Sequence, residues 1–194
     1  DYKGDGTSGV YIYGAQLEVG SYATSYIPTD GGTVTRNQDI CTRDGVGSLI
    51  NNTEGVLFFE AATLSNGSGG SISISDGTNQ NYIFLYFHPT GAKIVAKVVS
   101  DGNTEVDKNI LSIDETVNNK FAFKYKVNDF SVWINGTEVS TSLSADVPLV
   151  LNKLGFDNGS GSTPFYGKTK QLQVFNTALT DAELIALTSW SSFT

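Results

Sequence analysis

Two stretches of alternating side chains constrain this chain most, because each can be paired in a register that its own residues check. From Tyr82 to His88 and again from Lys93 to Val99, apolar residues occupy every second position, and Pro89-Thr90-Gly91-Ala92 between them supplies a turn. Pairing His88 with Lys93 sets Phe87 opposite Ile94, Leu85 opposite Ala96 and Ile83 opposite Val98, all on one face. The other face then carries Tyr82, Phe84, Tyr86 and His88, facing Val99, Lys97, Val95 and Lys93. A second hairpin is expected from Phe121–Val127 to Phe130–Ile134 through the two residues Asn128-Asp129. That register pairs Val127 with Phe130, Tyr125 with Val132 and Phe123 with Ile134, and leaves Trp133 beside Lys124 on the opposite face, with Lys126. A slip of one residue in either hairpin would mix the faces.

Further strands fit Val56–Leu64, Ser71–Ser75, Lys168–Phe175 and Leu149–Phe156. One helix is signalled by Thr180-Asp181-Ala182-Glu183, a capping box ahead of Leu184-Ile185-Ala186-Leu187. Many short strands with one small helix near the end imply an all-β, two-sheet antiparallel sandwich or jelly roll. Composition agrees: only 16% of the 194 residues are charged, 21 are glycine, and 39% are hydrophobic, including 11 Phe, 9 Tyr and 2 Trp. That is enough apolar material to fill a core. The formal net charge of −8 argues against a nucleic-acid partner, whose phosphates demand a basic surface. No apolar run approaches the roughly 18–20 residues of a membrane helix, so membrane insertion by a helix is not expected. The sequence contains no methionine, so it reads as a processed piece of something longer. A single cysteine, Cys41, cannot form an internal disulfide and is expected to be a small buried or half-buried filler.

Residues 1–32 differ from the rest. Val10 to Val19 is strand-like without a nearby partner, and Ser25 to Gly32 has the Pro and Gly punctuation of a linker. We therefore divide the chain into 1–32, the end of an upstream domain plus a linker, and 33–194, the sandwich. Three arrangements are open to the leading arm, which are packing on the sandwich, completing an edge strand or hanging free; covering an edge, where it would protect exposed backbone groups, is the preferred one.

Particular motifs carry a family resemblance. Asn119-Lys120-Phe121-Ala122-Phe123-Lys124-Tyr125-Lys126, continuing to Val132-Trp133-Ile134-Asn135-Gly136, resembles the core of concanavalin A-like jelly rolls of the laminin-G-like kind. Phe165 to Lys168 and Leu172 to Leu184, with Asn176-Thr177-Ala178-Leu179-Thr180-Asp181-Ala182-Glu183, is similar to that group's closing strand and turn. Upstream, Gly14-Ala15-Gln16-Leu17-Glu18, Thr24-Ser25-Tyr26-Ile27-Pro28-Thr29 and Val34-Thr35-Arg36 resemble a junction found in bacteriophage tail-fibre and bacterial adhesin proteins. The resemblance implies a virion or extracellular adhesin, with homo-oligomerisation in the parent protein as a further expectation.

Because that fold also houses glycosidases and lyases, catalysis has to be tested. A retaining glycosidase needs two carboxylates about 5 Å apart. Glu54 and Glu60 are six residues apart, and the adjacent Asp114 and Glu115 would point to opposite faces of a strand. His88 is the only histidine, and no G-x-S-x-G elbow or phosphate loop is present. No enzyme is expected. Calcium is an open alternative to no cofactor: Asp76-Gly77, Asp101-Gly102 and Asp157-Asn158-Gly159 suit loops that hold it in laminin-G-like relatives. Asp-Gly is equally the signature of a tight turn.

What remains is recognition. Sugar rings stack their C–H faces on aromatics while polar neighbours fix their hydroxyls. Tyr82, Phe84, Tyr86 and His88, flanked by Lys93 and Lys97, form one candidate glycan-binding face. Trp133 with Lys124 and Lys126 forms a second, joined by Phe58 and Glu60 if Leu57, Phe59 and Ala61 point inward. The expected partner is a polysaccharide or cell-surface glycan. An aromatic stripe is equally explained by burial under a long loop, a partner subunit or the arm, which keeps a structural or oligomerisation module open as the other reading.

Overall fold

A computed structural model of the chain describes residues 5–7, 9, 11–17, 24–35, 40–67, 69–90 and 92–190. It divides into two units, Asp1–Asp39 and Ile40–Thr194. In the first unit the described residues form no strand or helix. The expected strand over Val10–Val19 is absent from residues 11–17; Val10, Glu18 and Val19 lie outside the described residues. Tyr11, Ile12, Tyr13 and Leu17 are fully or almost fully exposed, so no apolar face is buried there to stabilise an extended segment. Local order comes from Gln16, whose Oε1 accepts the Ile27 N–H at 2.8 Å, and from the Tyr13 and Tyr26 rings, 5.7 Å apart.

Among the described residues the second unit contains eleven strands: β1 (Thr42–Asp44), β2 (Glu54–Thr63), β3 (Ser71–Ser75), β4 (Tyr82–Phe87), β5 (Lys93–Ser100), β6 (Asn103–Leu111), β7 (Asn119–Lys126), β8 (Phe130–Ile134), β9 (Thr137–Ser142), β10 (Lys153–Gly155) and β11 (Gly167–Phe175), followed by helix α1 (Asp181–Thr188). They form a two-sheet antiparallel β-sandwich. One sheet runs β1-β10-β3-β4-β5-β6 and the other β11-β2-β7-β8-β9. Its core is the set of alternate residues that the sequence marks as inward. Ile72, Ile74, Ile83, Leu85, Phe87, Ile94, Ala96 and Val98 of the first sheet meet Leu57, Phe59, Phe121, Phe123, Tyr125, Phe130 and Val132 of the second. Phe59 bridges the layers, with ring centroids 6.3 Å from Phe87 and 5.0 Å from Phe121. Between β9 and β10 a strap closes one pole of the sandwich, burying Ala145, Val147 and Leu151 in the core.

The first hairpin has the expected register, with Ile83 opposite Val98, Leu85 opposite Ala96 and Phe87 opposite Ile94. The second differs by two residues: Phe123 pairs with Val132 and Phe121 with Ile134. Its turn is Lys126 to Asp129, closed by the Asp129 N–H to the Lys126 carbonyl at 2.8 Å, with Asn128 in the left-handed region at φ 56°. A shift of two keeps every side chain on its face, so alternation alone cannot detect it. The Asn128 main chain and side chain both bond Ala145, which fixes the turn from the strap. Val127, expected to pair inward, is 47% exposed.

The strand expected over Leu149–Phe156 is only Lys153–Gly155. Cys41 is exposed rather than buried, because it precedes β1 at the sheet edge, where its carbonyl accepts the Phe156 N–H. Helix α1 opens with the expected capping box: Glu183 N–H donates to Thr180 Oγ1 at 3.4 Å, and Thr180 N–H to Glu183 Oε2 at 2.8 Å.

Candidate functional site

The outer face of the six-stranded sheet carries a ladder of four aromatic rings along β4. Tyr82 and Phe84 stack with centroids 5.0 Å apart and planes 1° from parallel. Phe84 and Tyr86 meet edge to face at 6.2 Å, and Tyr86 and His88 likewise at 5.4 Å. Alternation along an extended strand produces this column, and the small β3 side chains make room beside it: Ser71, Ser73 and Ser75 lie opposite Tyr86, Phe84 and Tyr82. On the other side Val95 and Lys97 of β5 lie opposite Tyr86 and Phe84.

The two ends of the ladder differ. Tyr82 and Phe84 are buried, at 9% and 8% exposure, whereas Tyr86 and His88 are half-buried. The β10–β11 loop causes the difference at Tyr82. Gly159, at φ 96°, lies on Ser75 and Tyr82, so that a Cβ there would stand 2.6 Å from the Ser75 Cβ. Its carbonyl accepts from Ser75 Oγ, and Thr163 Oγ1 bonds Ser71 Oγ at 3.0 Å. Burial pushes the Tyr82 phenol above its ordinary range, and the Asp107 carboxylate adds to that. Lys97 is 3.7 Å from Asp107.

At the open end, His88 N–H donates to the Lys93 carbonyl at 2.9 Å. His88 Nδ1 accepts the Thr90 N–H at 3.3 Å and lies 2.8 Å from Thr90 Oγ1. These two contacts engage Nδ1, and Nε2 is the other hydrogen-bonding atom of the ring. Among the described residues, neither Nε2 nor the Lys93 ammonium has an assigned partner. Tyr86, His88 and Lys93 thus bring aromatic rings and polar groups together at this end of the ladder.

The second candidate face is covered. Leu57, Phe59 and Ala61 do point inward, which sets Phe58 and Glu60 on the outer face with Trp133. Helix α1 lies on that face. Leu184 packs with Val56, Phe58, Ala122 and Trp133, and Phe175, Leu179 and Leu187 complete the cluster. Trp133 is 5% exposed and donates through Nε1 to Ser131 Oγ at 2.9 Å. Lys124 is 7% exposed, bound to Asp129 at 2.7 Å and 3.9 Å from Asp181. Of these two residues, expected in a binding face, Trp133 packs beneath the helix and Lys124 pairs with Asp129 of the hairpin turn and, more loosely, with Asp181 of the helix. Trp133 lies opposite Ala122 rather than beside Lys124, again because of the two-residue shift.

Glu54 and Glu60 do not converge. Glu54 pairs with Lys126 and Glu60 with Lys170, each at 3.2 Å. Six residues along one strand place them roughly 20 Å apart, against the 5 Å or so of a retaining pair. Asp76 accepts from Thr78 and Asn81, and these bonds outweigh the upward push of burial, leaving its carboxyl below the usual range. Among the described residues no group of three His, Cys, Asp or Glu side chains could hold a metal.

Solved structures resemble the sandwich. A carbohydrate-binding module, CBM40, of the Ruminococcus gnavus IT-sialidase, bound to α2,3-sialyllactose, aligns with a TM-score of 0.59 and 22% identity over 73% of this chain and 86% of that one. Domain 4 of the extracellular arabinanase AbnA from Geobacillus stearothermophilus, in complex with arabinotriose, gives 0.58 and 15% over 79% and 82%. The NanB sialidase of Streptococcus pneumoniae gives 0.60 and 16% over 79% of this chain, which spans only 27% of that enzyme. No family model and no curated protein sequence matches the chain. At these identities the likeness shows the fold alone: a two-sheet antiparallel β-sandwich.

Proposed function

We propose that this domain is a non-catalytic carbohydrate-binding module that attaches its parent protein to a surface polysaccharide. The observation that carries the reading is the open end of the aromatic ladder, where Tyr86 and His88 are half-buried beside Lys93 and, among the described residues, His88 Nε2 has no partner. A pyranose or furanose ring would stack on Tyr86, with its hydroxyl or carboxylate oxygens accepting from His88 and Lys93. Tyr82, Phe84 and Lys97 would hold that rim from behind. Complexes of similar sandwiches with sialyllactose and arabinotriose support the reading. The junction motifs in residues 14–36 support a parent of the tail-fibre or adhesin kind, on a virion or outside the cell, where weak single sites are strengthened by multivalency. A structural or oligomerisation module is the second reading, favoured by the exposure of Tyr11, Ile12, Tyr13 and Leu17 in the first unit.

The test is retention of the chain on immobilised α2,3-sialyllactose polymer, arabinan, polygalacturonate and dextran, with calcium and with a chelator. Expected is retention on one class, weakened about tenfold or more by Tyr86→Ala and unchanged by Trp133→Phe. No retention by a multivalent, clustered form would overturn the reading in favour of the structural module. Loss with Trp133→Phe but not Tyr86→Ala would move the site to the other sheet.

A further inference from the structure

Glu115 is fully buried. No Lys or Arg pairs with it among the described residues, yet every polar atom it carries is bonded. Its Oε1 accepts the Lys93 N–H at 3.0 Å and its Oε2 the Gly67 N–H at 3.3 Å. Its own N–H donates to Asn66 Oδ1 at 3.2 Å. Its carbonyl accepts both the N–H of Thr63, at 2.8 Å, and the Thr63 hydroxyl, at 3.1 Å. One residue of the β6–β7 loop therefore ties the β2–β3 loop to the first residue of β5. A buried carboxylate without a cation is unfavourable, and main-chain donors offset that only in part. Glutamine could not substitute cleanly, since its amide nitrogen would face one of the two N–H donors.

Two further oddities border the same spot. Ala92, at φ 50°, and Ser112, at φ 65°, are non-glycine residues in the left-handed region, and the Ser112 N–H donates to the Ala92 carbonyl at 2.9 Å. Such conformations persist where the surroundings over-determine them, and they gather at functional sites. Here they immediately precede Lys93 in the hairpin and begin the Glu115 loop. Lys93 is then gripped on both sides of its backbone, its N–H by Glu115 and its carbonyl by His88.

We propose that Glu115 is a positioning residue: it fixes Lys93 against His88 and so pre-organises the polar rim of the saccharide site. The inference rests on the reading of that face given above. A rim held in its bound geometry loses less conformational freedom when a ligand arrives.

The experiment compares Glu115→Gln, Tyr86→Ala and Leu184→Ala, the last a core truncation beneath helix α1 on the other sheet. Affinity for the panel polymer retained by the wild-type chain is measured well below each melting temperature, beside amide exchange at Lys93 and Gly67. Expected for Glu115→Gln is faster exchange at both amides with affinity weakened about tenfold, while Leu184→Ala lowers the melting temperature and leaves affinity unchanged. If Glu115→Gln does not fold, Asn66→Ala, which removes only the bond to the Glu115 N–H, is held to the same criteria. Affinity within about twofold of wild type despite faster exchange, with Tyr86→Ala still weakened, overturns the positioning role and leaves the site standing. An equal loss in Leu184→Ala also overturns it, because general stability then explains the effect. If Tyr86→Ala binds as wild type does, the site itself is misplaced and this inference falls with it.

Discussion

Gly159 shows how much one residue decides here. It lets the β10–β11 loop lie directly on β3, and the serines of β3 are short enough to receive it. Alanine at this position meets both the positive φ and the Ser75 side chain at 2.6 Å. Gly159→Ala is expected to destabilise by at least about 2 kcal/mol, measured by urea unfolding. It should also lift the loop from Tyr82, raising accessibility of that ring to solvent perturbation. Gly155 works in the same way on a smaller scale: a side chain there would press on the Asp157 carboxylate, 3.1 Å away. The role of Gly159 is not legible in sequence, because it depends on Ser75 and Tyr82, far away along the chain, whereas Gly155 meets a carboxylate only two residues on. The aromatic column itself is legible, since alternation places Tyr82, Phe84 and Tyr86 on one face whatever covers them.

Among the elements, helix α1 has the clearest job. Its capping box fixes where it starts, and Leu184 seals Val56, Phe58, Ala122 and Trp133. Leu184→Ala should cost about 2–4 kcal/mol, and Thr180→Ala about 1 kcal/mol. Both are checked by chemical denaturation, with Trp133 fluorescence shifting to the red if the helix loosens. The sequence announces this helix through a local motif but not what it covers, which is why Trp133 and Lys124 read as surface residues. Strand legibility follows position in the sheet. Central strands β2, β4, β5 and β7 are flanked on both sides and carry strong apolar patterns. Among the edge strands, β1, β6 and β9 escape notice, because half of each is wet and its residues are mostly polar, whereas β11 is legible from its Leu172 and Val174 alternation. Two of those edges carry a basic residue in register with the inward row. Arg43 of β1 pairs with Leu154, and Lys108 of β6 with Ala96; both are exposed, and both discourage another strand from adding there.

For the whole molecule, ionisation sets the range of pH in which the sandwich is most stable. Hydrogen bonds from Thr116 hold Asp114 below the usual carboxylate range, those within the capping box do the same for Glu183, and Asp76 is lowered despite its burial. A depressed folded value means that these groups stabilise fully above about pH 5 and lose that contribution as pH falls toward about 3. At the other limit, burial raises the phenols of Tyr82 and Tyr125 above their ordinary range. Their contribution is complete below about pH 10 and is lost as pH rises beyond it. The melting temperature is therefore expected to be flat from about pH 5.5 to 9 and to fall on both sides, read by calorimetry across that range. A steady change through neutrality would overturn this assignment of the pH limits to the carboxyls and the buried phenols.

The edge strand β1 has a mechanical consequence. It is three residues long and pairs with the equally short β10, and it is the first strand of the sandwich along the chain. Tension arriving from the N-terminal side reaches those few hydrogen bonds before it reaches the long central strands. Loaded in that direction, the sandwich would give way first at its margin, letting out a little slack while the aromatic ladder and the core beneath it stay assembled.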